Sequence, residues 1–242
     1  MTALPSDSIT IYEEPEVKFL ASMGGDESVV TAARVSVVGE NFQQEDLDVR
    51  DAGLINYLLR EKHGSPFEHN ALKFFVKAPI MVFREFHRHR IGFSYNEMSG
   101  RYTKLPPEFY SPSQDRPLIN VGTSAKPEFA PAPQELWEWL IEDDLEIFEF
   151  LWARYERRLE KGIANEIARD ILPLGIMSQM YVTCNARSLM SFLSLRTKDE
   201  RAAHLSRPQY EIEQVARIME DVFAQQFPVT YAAYNKYGRV AP

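Results

Sequence analysis

A single cysteine, Cys184, stands among 242 residues. One thiol excludes an intrachain disulfide and a cysteine-rich zinc centre, and it fits a reducing compartment. Long apolar runs are missing as well. No uncharged stretch approaches the ~18 residues that a membrane span requires, and Met1–Asp7 has neither the basic nor the apolar region of a signal peptide. Net positive charge is also lacking: 27 Lys and Arg stand against 35 Asp and Glu, a formal charge of −8. Such a chain is repelled on average by nucleic acid and by anionic membranes. The sequence therefore predicts a cytoplasmic protein with neither as a partner, in which any bound anion is held by a local basic cluster.

What is present is enough apolar material for a substantial core, 45% hydrophobic and 12% aromatic residues, which suits one large domain or two small ones. Short apolar runs at Ser8–Tyr12, Leu72–Lys77 and Gln179–Cys184 predict strands. Helical spacing predicts helices over Asp26–Val38 (capped by Asp26 or Ser28), Asp51–Glu61, Pro79 to about His89, Asn165–Ile171, Ala186–Arg196 and Pro208–Gln226. The strongest amphipathic pattern runs from Pro133 to Lys161, with Leu136, Trp137, Leu140, Ile141, Ile147, Phe148 and Leu151 in its stripe. Gly92, Asn96 and Gly100 predict an irregular loop over Ile91–Tyr102, and seven prolines between Pro106 and Pro133 predict a long surface excursion. The fold class expected is α+β, a single domain over 1–242 with a central, largely antiparallel sheet flanked by long helices.

The most unusual stretch is Arg84 to Tyr102, with four Arg against two Glu inside an acidic protein. Arg84 and Arg88 are four apart and share a helix face, and guanidinium forks match phosphate oxygens. Ser99, Gly100 and Arg101 supply a hydroxyl, an unhindered backbone N–H and a further cation, which are the parts of a phosphate cradle. Asn96 and Glu97 suit hydroxyl or base-edge recognition. A helix end with solvated charges has the same composition. A second place, His63-Gly64-Ser65-Pro66-Phe67-Glu68-His69, sets two His and a Glu round a tight turn. As a metal site it lacks a further carboxylate or thiol, so no metal is expected. A third comprises Arg169, then Asn185-Ala186-Arg187-Ser188-Leu189, then Arg196, in apolar surroundings where Arg side chains also snorkel or pair with Glu.

Taken together, these segments resemble the flavin-dependent thymidylate synthases. Arg88-His89-Arg90, followed by Ser99, is similar to that family's arginine-histidine-arginine signature. The likeness extends to His63–His69, Lys77-Ala78-Pro79, Asn96–Tyr102, Ala168-Arg169, Asn185–Leu189 and Leu195-Arg196. Eight residues, Ile91 to Met98, separate Arg90 from Ser99, one more than in the common form of the signature. Several separated motifs in order are more specific than any one of them.

The resemblance implies reductive methylation of dUMP to dTMP, with 5,10-methylenetetrahydrofolate as carbon donor and FAD reduced by NADPH. It implies that His63, Ser65, Arg88, His89, Arg90, Glu97 and Asn185 hold FAD. Glu85, Arg88, Glu97, Ser99, Gly100, Arg101, Arg169 and Arg196 would hold dUMP, with Arg169 and Arg196 catalytic through stabilising charge on the uracil ring. Ser191 stands where the family often carries a flavin-contacting Asn, and no contact is expected from it. The family's homotetramer, with sites shared between subunits, is implied too. Cys184, in an apolar run without a neighbouring His, reads as a buried hydrophobe. The competing readings are another FAD-dependent nucleotide-modifying enzyme, a non-catalytic nucleotide-binding module, and a nucleic-acid binder built on the Arg-His stretch, which the negative charge opposes.

Overall fold

The computed structural model describes residues 8–39 and 47–242; the Met1–Asp7 segment lies outside the described residues. In chain order the elements are β1 (Thr10–Tyr12), β2 (Glu16–Met23), α1 (Asp26–Val38), α2 (Val49–Arg60), a 3-10 turn (Ser65–Glu68), β3 (Ala71–Pro79), α3 (Ile80–Phe86) and β4 (Phe93–Glu97). There follow β5 (Glu108–Tyr110), β6 (Ile119–Asn120), β7 (Phe129–Ala130), α4 (Gln134–Glu160), α5 (Asn165–Ala168), a 3-10 turn (Arg169–Ile171), β8 (Met177–Cys184), α6 (Ala186–Arg196), α7 (Tyr210–Gln226) and α8 (Pro228–Lys236). The fold is α+β, as expected, with a mostly antiparallel four-stranded sheet in the order β2-β3-β8-β4.

Two compact units can be told apart. The first comprises Met1–Glu16, Lys77–Phe86 and Glu97–Gln179; the second comprises Val17–Val76, His87–Asn96 and Met180–Pro242. In the first, β1 pairs in parallel with β5, matching Thr10 to Glu108 and Tyr12 to Tyr110. Its core forms where α4 lays one face on β5: Phe109 stacks on Phe148 (4.8 Å between centroids), and Trp152 meets the Phe109 edge at 6.2 Å. Tyr155 is fully buried and its hydroxyl accepts the Leu105 N–H at 3.2 Å. The proline-rich segment is therefore not wholly a surface excursion, because Phe109, Tyr110 and Ser111 belong to the interior.

In the second unit, α2 starts with a reciprocal capping box. Asp48 accepts the Asp51 N–H at 2.9 Å and Asp51 accepts the Asp48 N–H at 2.9 Å, which satisfies two donors that the first helical turn leaves without partners. The cap expected at α1 is absent: Gly25 holds the N-cap position without a side-chain bond. Asp26 instead turns inward, where it is buried and accepts from Val229 N (2.7 Å), Thr230 N (2.9 Å) and Thr230 Oγ1 (2.6 Å), fastening α1 to α8. Arg239 is also buried. Its Nη1 donates to Glu220 Oε1 at 2.6 Å and its Nη2 to Thr197 Oγ1 at 2.8 Å.

Three further expectations give way. Pro79 closes strand β3 rather than opening a helix, and α3 ends at Phe86, short of the signature. The irregular loop over Ile91–Tyr102 contains β4, whose side chains alternate between half-buried Phe93 and Tyr95 and exposed Ser94 and Asn96. Both β2 and α8 form where no element was expected.

Candidate active site

The residues singled out by sequence fall into two groups that follow the two units. His63, Ser65, Arg88, His89, Arg90, Asn185 and Arg196 lie in the second unit; Glu85, Glu97, Ser99, Gly100, Arg101 and Arg169 lie in the first.

In the second unit the tight turn after α3 carries Arg88, His89 and Arg90 to a cavity of about 270 Å³, which they line with Ile91, Phe93, Ser188, Ser191, Leu195 and Arg196. Ser188, Ser191 and Leu195 recur at i, i+3 and i+7 on α6, so one helix face reaches the cavity. Ser191, expected to make no contact, is on its wall. Gly92 has φ +67, and a Cβ there would fall 2.0 Å from Ser188 Oγ, so only glycine lets the turn lie against the start of α6. Asn185 caps α6 by accepting the Ser188 N–H at 2.8 Å. That leaves its amide NH2 as the group able to meet a ligand.

His89 is held in an aromatic frame. Its ring meets Phe192 edge-on at 4.9 Å and lies 6.1 Å from Phe93, which stacks on Tyr95 at 5.7 Å. Tyr95 Oη donates to the His89 carbonyl at 2.7 Å. Arg196 Nε donates to His89 Nε2 at 3.1 Å, so that nitrogen carries a lone pair and the proton sits on Nδ1. Burial, reinforced by the Arg196 charge, brings the imidazole pKa from 6.5 down to about 4. At neutral pH His89 is uncharged, and the charge at the cavity wall belongs to the guanidiniums of Arg88, Arg90 and Arg196. Three cations, serine hydroxyls and an apolar wall of Ile91, Phe93 and Leu195 make a donor set that suits a flat, phosphorylated ligand such as a flavin nucleotide.

His63 and Ser65 sit at the turn before β3, and both are exposed. The turn is fixed by Arg187, one of the three arginines in apolar surroundings for which pairing with Glu is the alternative reading. Arg187, in the first turn of α6, pairs with Glu68 at 2.5 Å, while its Nε donates to the Pro242 carbonyl at 2.6 Å. Asn70, at the exit of the turn, accepts the Ala186 N–H at 2.8 Å. Glu68 is thereby engaged with a guanidinium, which is the bland alternative to a metal site.

In the first unit a turn follows β4. Glu97 Oε1 accepts from Ser178 Oγ at 2.8 Å, and the Met98 N–H donates to the Gln179 carbonyl at 2.8 Å, pinning the turn to β8. Ser99 Oγ accepts the Arg101 N–H at 3.3 Å, and the Ser99 carbonyl accepts the Tyr102 N–H at 3.1 Å. Gly100 is buried, and a Cβ there would come within 3.1 Å of both Arg169 Cδ and Leu105. The structure thus brings Ser99, Gly100, Arg101 and Arg169 together. Arg101 pairs with Glu166 at 3.1 Å, both half-exposed. Glu85 lies half-buried on α3. Cys184 is buried in β8 and burial pushes its thiol pKa up, so it stays protonated and inert.

The comparisons with known proteins agree with this chemistry. The family model described as "Thymidylate synthase complementing protein" matches residues 18–229. The chain is 48% identical over 250 residues to the flavin-dependent thymidylate synthase of Streptomyces avermitilis, covering 100% of both chains. It is also 48% identical to that of Tropheryma whipplei (strain TW08/27), over 95% of each. Among solved structures, the UMP/dUMP methylase PolB from Streptomyces cacaoi bound with 5-Br dUMP superposes with a TM-score of 0.90 at 42% identity, covering 97% of this chain and 100% of that one. The same methylase bound with 5-Br UMP gives 0.88 at 40%. This chain belongs to the flavin-dependent thymidylate synthase family.

Proposed function

We propose that this chain methylates dUMP at C5 to give dTMP, taking the one-carbon unit from 5,10-methylenetetrahydrofolate. The observation that carries the reading is the cationic cavity round the neutral His89, in a chain alike over its full length to flavin-dependent thymidylate synthases. FAD, reduced by NADPH, supplies the electron pair that turns the transferred methylene into a methyl group. The chain's own residues bind, orient and polarise. Arg88, His89, Arg90 and Asn185 hold the flavin nucleotide, with His63, Ser65 and Glu97 as further contacts. Ser99, the Gly100 N–H and Arg101 receive the 5′-phosphate of dUMP; Glu85 and Glu97 orient the nucleoside. Arg169 and Arg196 are the catalytic cations, stabilising negative charge on the uracil carbonyls as C5 gains its bond and loses its proton. No protein nucleophile is needed.

Residues 1–242 act as one catalytic domain in a cytoplasmic homotetramer, and Arg88 and Arg196 serve the dUMP site of a neighbouring subunit. Among the described residues no helix is long and apolar enough to cross a membrane. The test is tritium release from C5-labelled dUMP, with C5-labelled UMP in parallel because the structural relative is a UMP/dUMP methylase. Release from dUMP that requires FAD, NADPH and methylenetetrahydrofolate supports the reading. A flavin-loaded protein that releases nothing from either nucleotide refutes it.

A further inference from the structure

The C-terminal turns of α4 gather four cations on one side. Arg157, Arg158 and Lys161 follow Arg154 by three, four and seven residues, so all four share a helix face. They line a cleft of about 410 Å³ in the first unit, whose apolar part is Phe150, Leu151, Ile163 and Ile171. No carboxylate is among the lining residues, in a chain whose formal charge is −8. A helix C-terminus favours cations, but only within its last turn. That accounts for Arg157 and Arg158. It accounts neither for Arg154, a turn earlier, nor for the apolar wall. Arg154 holds its guanidinium 4.9 Å from the centre of the Phe150 ring, and Phe150 is 55% exposed. A cation beside an open aromatic ring suits an anion with a flat body: the guanidinium takes phosphate oxygens and the ring stacks on a base. Arg154 and Lys161 are also spread about 10 Å along the helix axis, which matches a chain of phosphates better than a single one.

Arg158 connects this cleft to the candidate active site. It pairs with Asp170, and its Nη1 reaches the carbonyls of Ile167 at 3.4 Å and Ala168 at 3.5 Å. These residues flank Arg169, whose side chain packs against Gly100. The Arg158–Asp170 pair is open to solvent on both sides, so it contributes little to stability. An anion in the cleft that draws Arg158 off Asp170 therefore loosens the turn that holds Arg169. We propose that the cleft is a second nucleotide site, which binds a nucleoside triphosphate, and that its occupation lowers turnover through the Arg169 turn. The binding stands on the cleft alone; the effect on turnover rests on the function proposed above.

The test is isothermal titration of the flavin-loaded protein, with dUMP saturating so that the 5′-phosphate cradle is filled. The probes are dTTP, ATP and inorganic triphosphate. At least one nucleotide should bind wild type, about tenfold more tightly than inorganic triphosphate. The charge-reversed Arg154→Glu/Lys161→Glu variant should bind it about tenfold or more weakly. Phe150→Ala should bring the nucleotide down to the affinity of inorganic triphosphate. These side chains are exposed, and retained flavin absorbance reports that each variant is folded. Binding of neither nucleotide, or undiminished binding in the charge-reversed variant, overturns the site. Inorganic triphosphate that binds as tightly as the nucleotides overturns its assignment to a nucleotide. Tritium release from C5-labelled dUMP should fall as the nucleotide saturates wild type and stay constant in Arg154→Glu/Lys161→Glu. Release that does not change in wild type overturns the effect on turnover. A protein that releases nothing even without nucleotide refutes the proposed function and that effect with it, while the titration still decides the site.

Discussion

The two clusters of candidate site residues are built on different principles. In the second unit His89 is framed by Phe93 and Phe192, bonded by Arg196 and tied through its carbonyl to Tyr95. In the first unit Arg101 points into solvent and holds Glu166 in a pair whose side chains are 54% and 51% exposed. A pair that open contributes little to stability. On the proposed assignment, a phosphate dianion would displace Glu166 at small cost, whereas His89 is already held by its aromatic and hydrogen-bonded frame. One cluster would then be preset and the other would exchange a weak internal partner for a ligand.

The largest test of that contrast is Arg239→Met. It removes the buried counter-ion of Glu220, leaving that carboxylate only the partly exposed Arg217 and the Tyr231 hydroxyl, and takes one hydrogen bond from Thr197, the residue after Arg196. A loss of roughly 3–5 kcal/mol is expected in denaturant unfolding; a loss below ~1 kcal/mol would show that the second unit is not rigidly preset. Next comes Arg196→Ala, which should lower turnover by about 10²–10³-fold. It should also raise the His89 pKa from about 4 toward 6.5, because the Arg196 charge is one of its two causes. An NMR titration midpoint that stays near 4 would assign the whole shift to burial. Arg101→Ala should weaken dUMP binding by about 1.5–3 kcal/mol, tenfold or more, in isothermal titration, with flavin absorbance unchanged. A variant that loses flavin instead breaks the division of labour.

Smaller effects follow from pH. The folded pKa of His89 lies below its unfolded value, so folding favours the neutral ring, and that contribution is complete above about 6.5 and is lost as pH falls from there toward 4. Thermal unfolding should reveal this as a decline confined to that window, which His89→Gln removes. Cys184→Ala should leave turnover within about twofold, as expected of a buried, protonated thiol trimmed to a smaller residue; a folded but inactive variant would contradict the nucleophile-free reading.

Much of this was legible in the sequence where period and composition agree. Helices α4 and α6 fall within a residue of their expected bounds because each has a continuous 3.6-residue pattern and a clear stop. Strand β4 was not legible, since Gly92, Asn96 and Gly100 read as turn residues, and what makes Phe93–Glu97 a strand is pairing with distant β8. Pro79 misled for a related reason: proline suits a strand's end as well as a helix's start. At the site, the Arg-His signature and the Ser99–Arg101 turn stood out as charge in an acidic chain. Ser178 and Arg239 did not, because Ser178 acts on Glu97, 81 residues distant, and Arg239 acts through a buried network that no local pattern encodes.

The bonds from Asp26 to Thr230 also bear on how the protein is made. They join residues 204 apart, so at roughly 5–20 residues per second the first helix leaves the ribosome about 10–40 s before its partner exists. During that interval the Asp26 carboxylate has only water to bond, since unpaired burial of a charge is costly, and the contact between α1 and α8 closes only after the last of these helices has emerged.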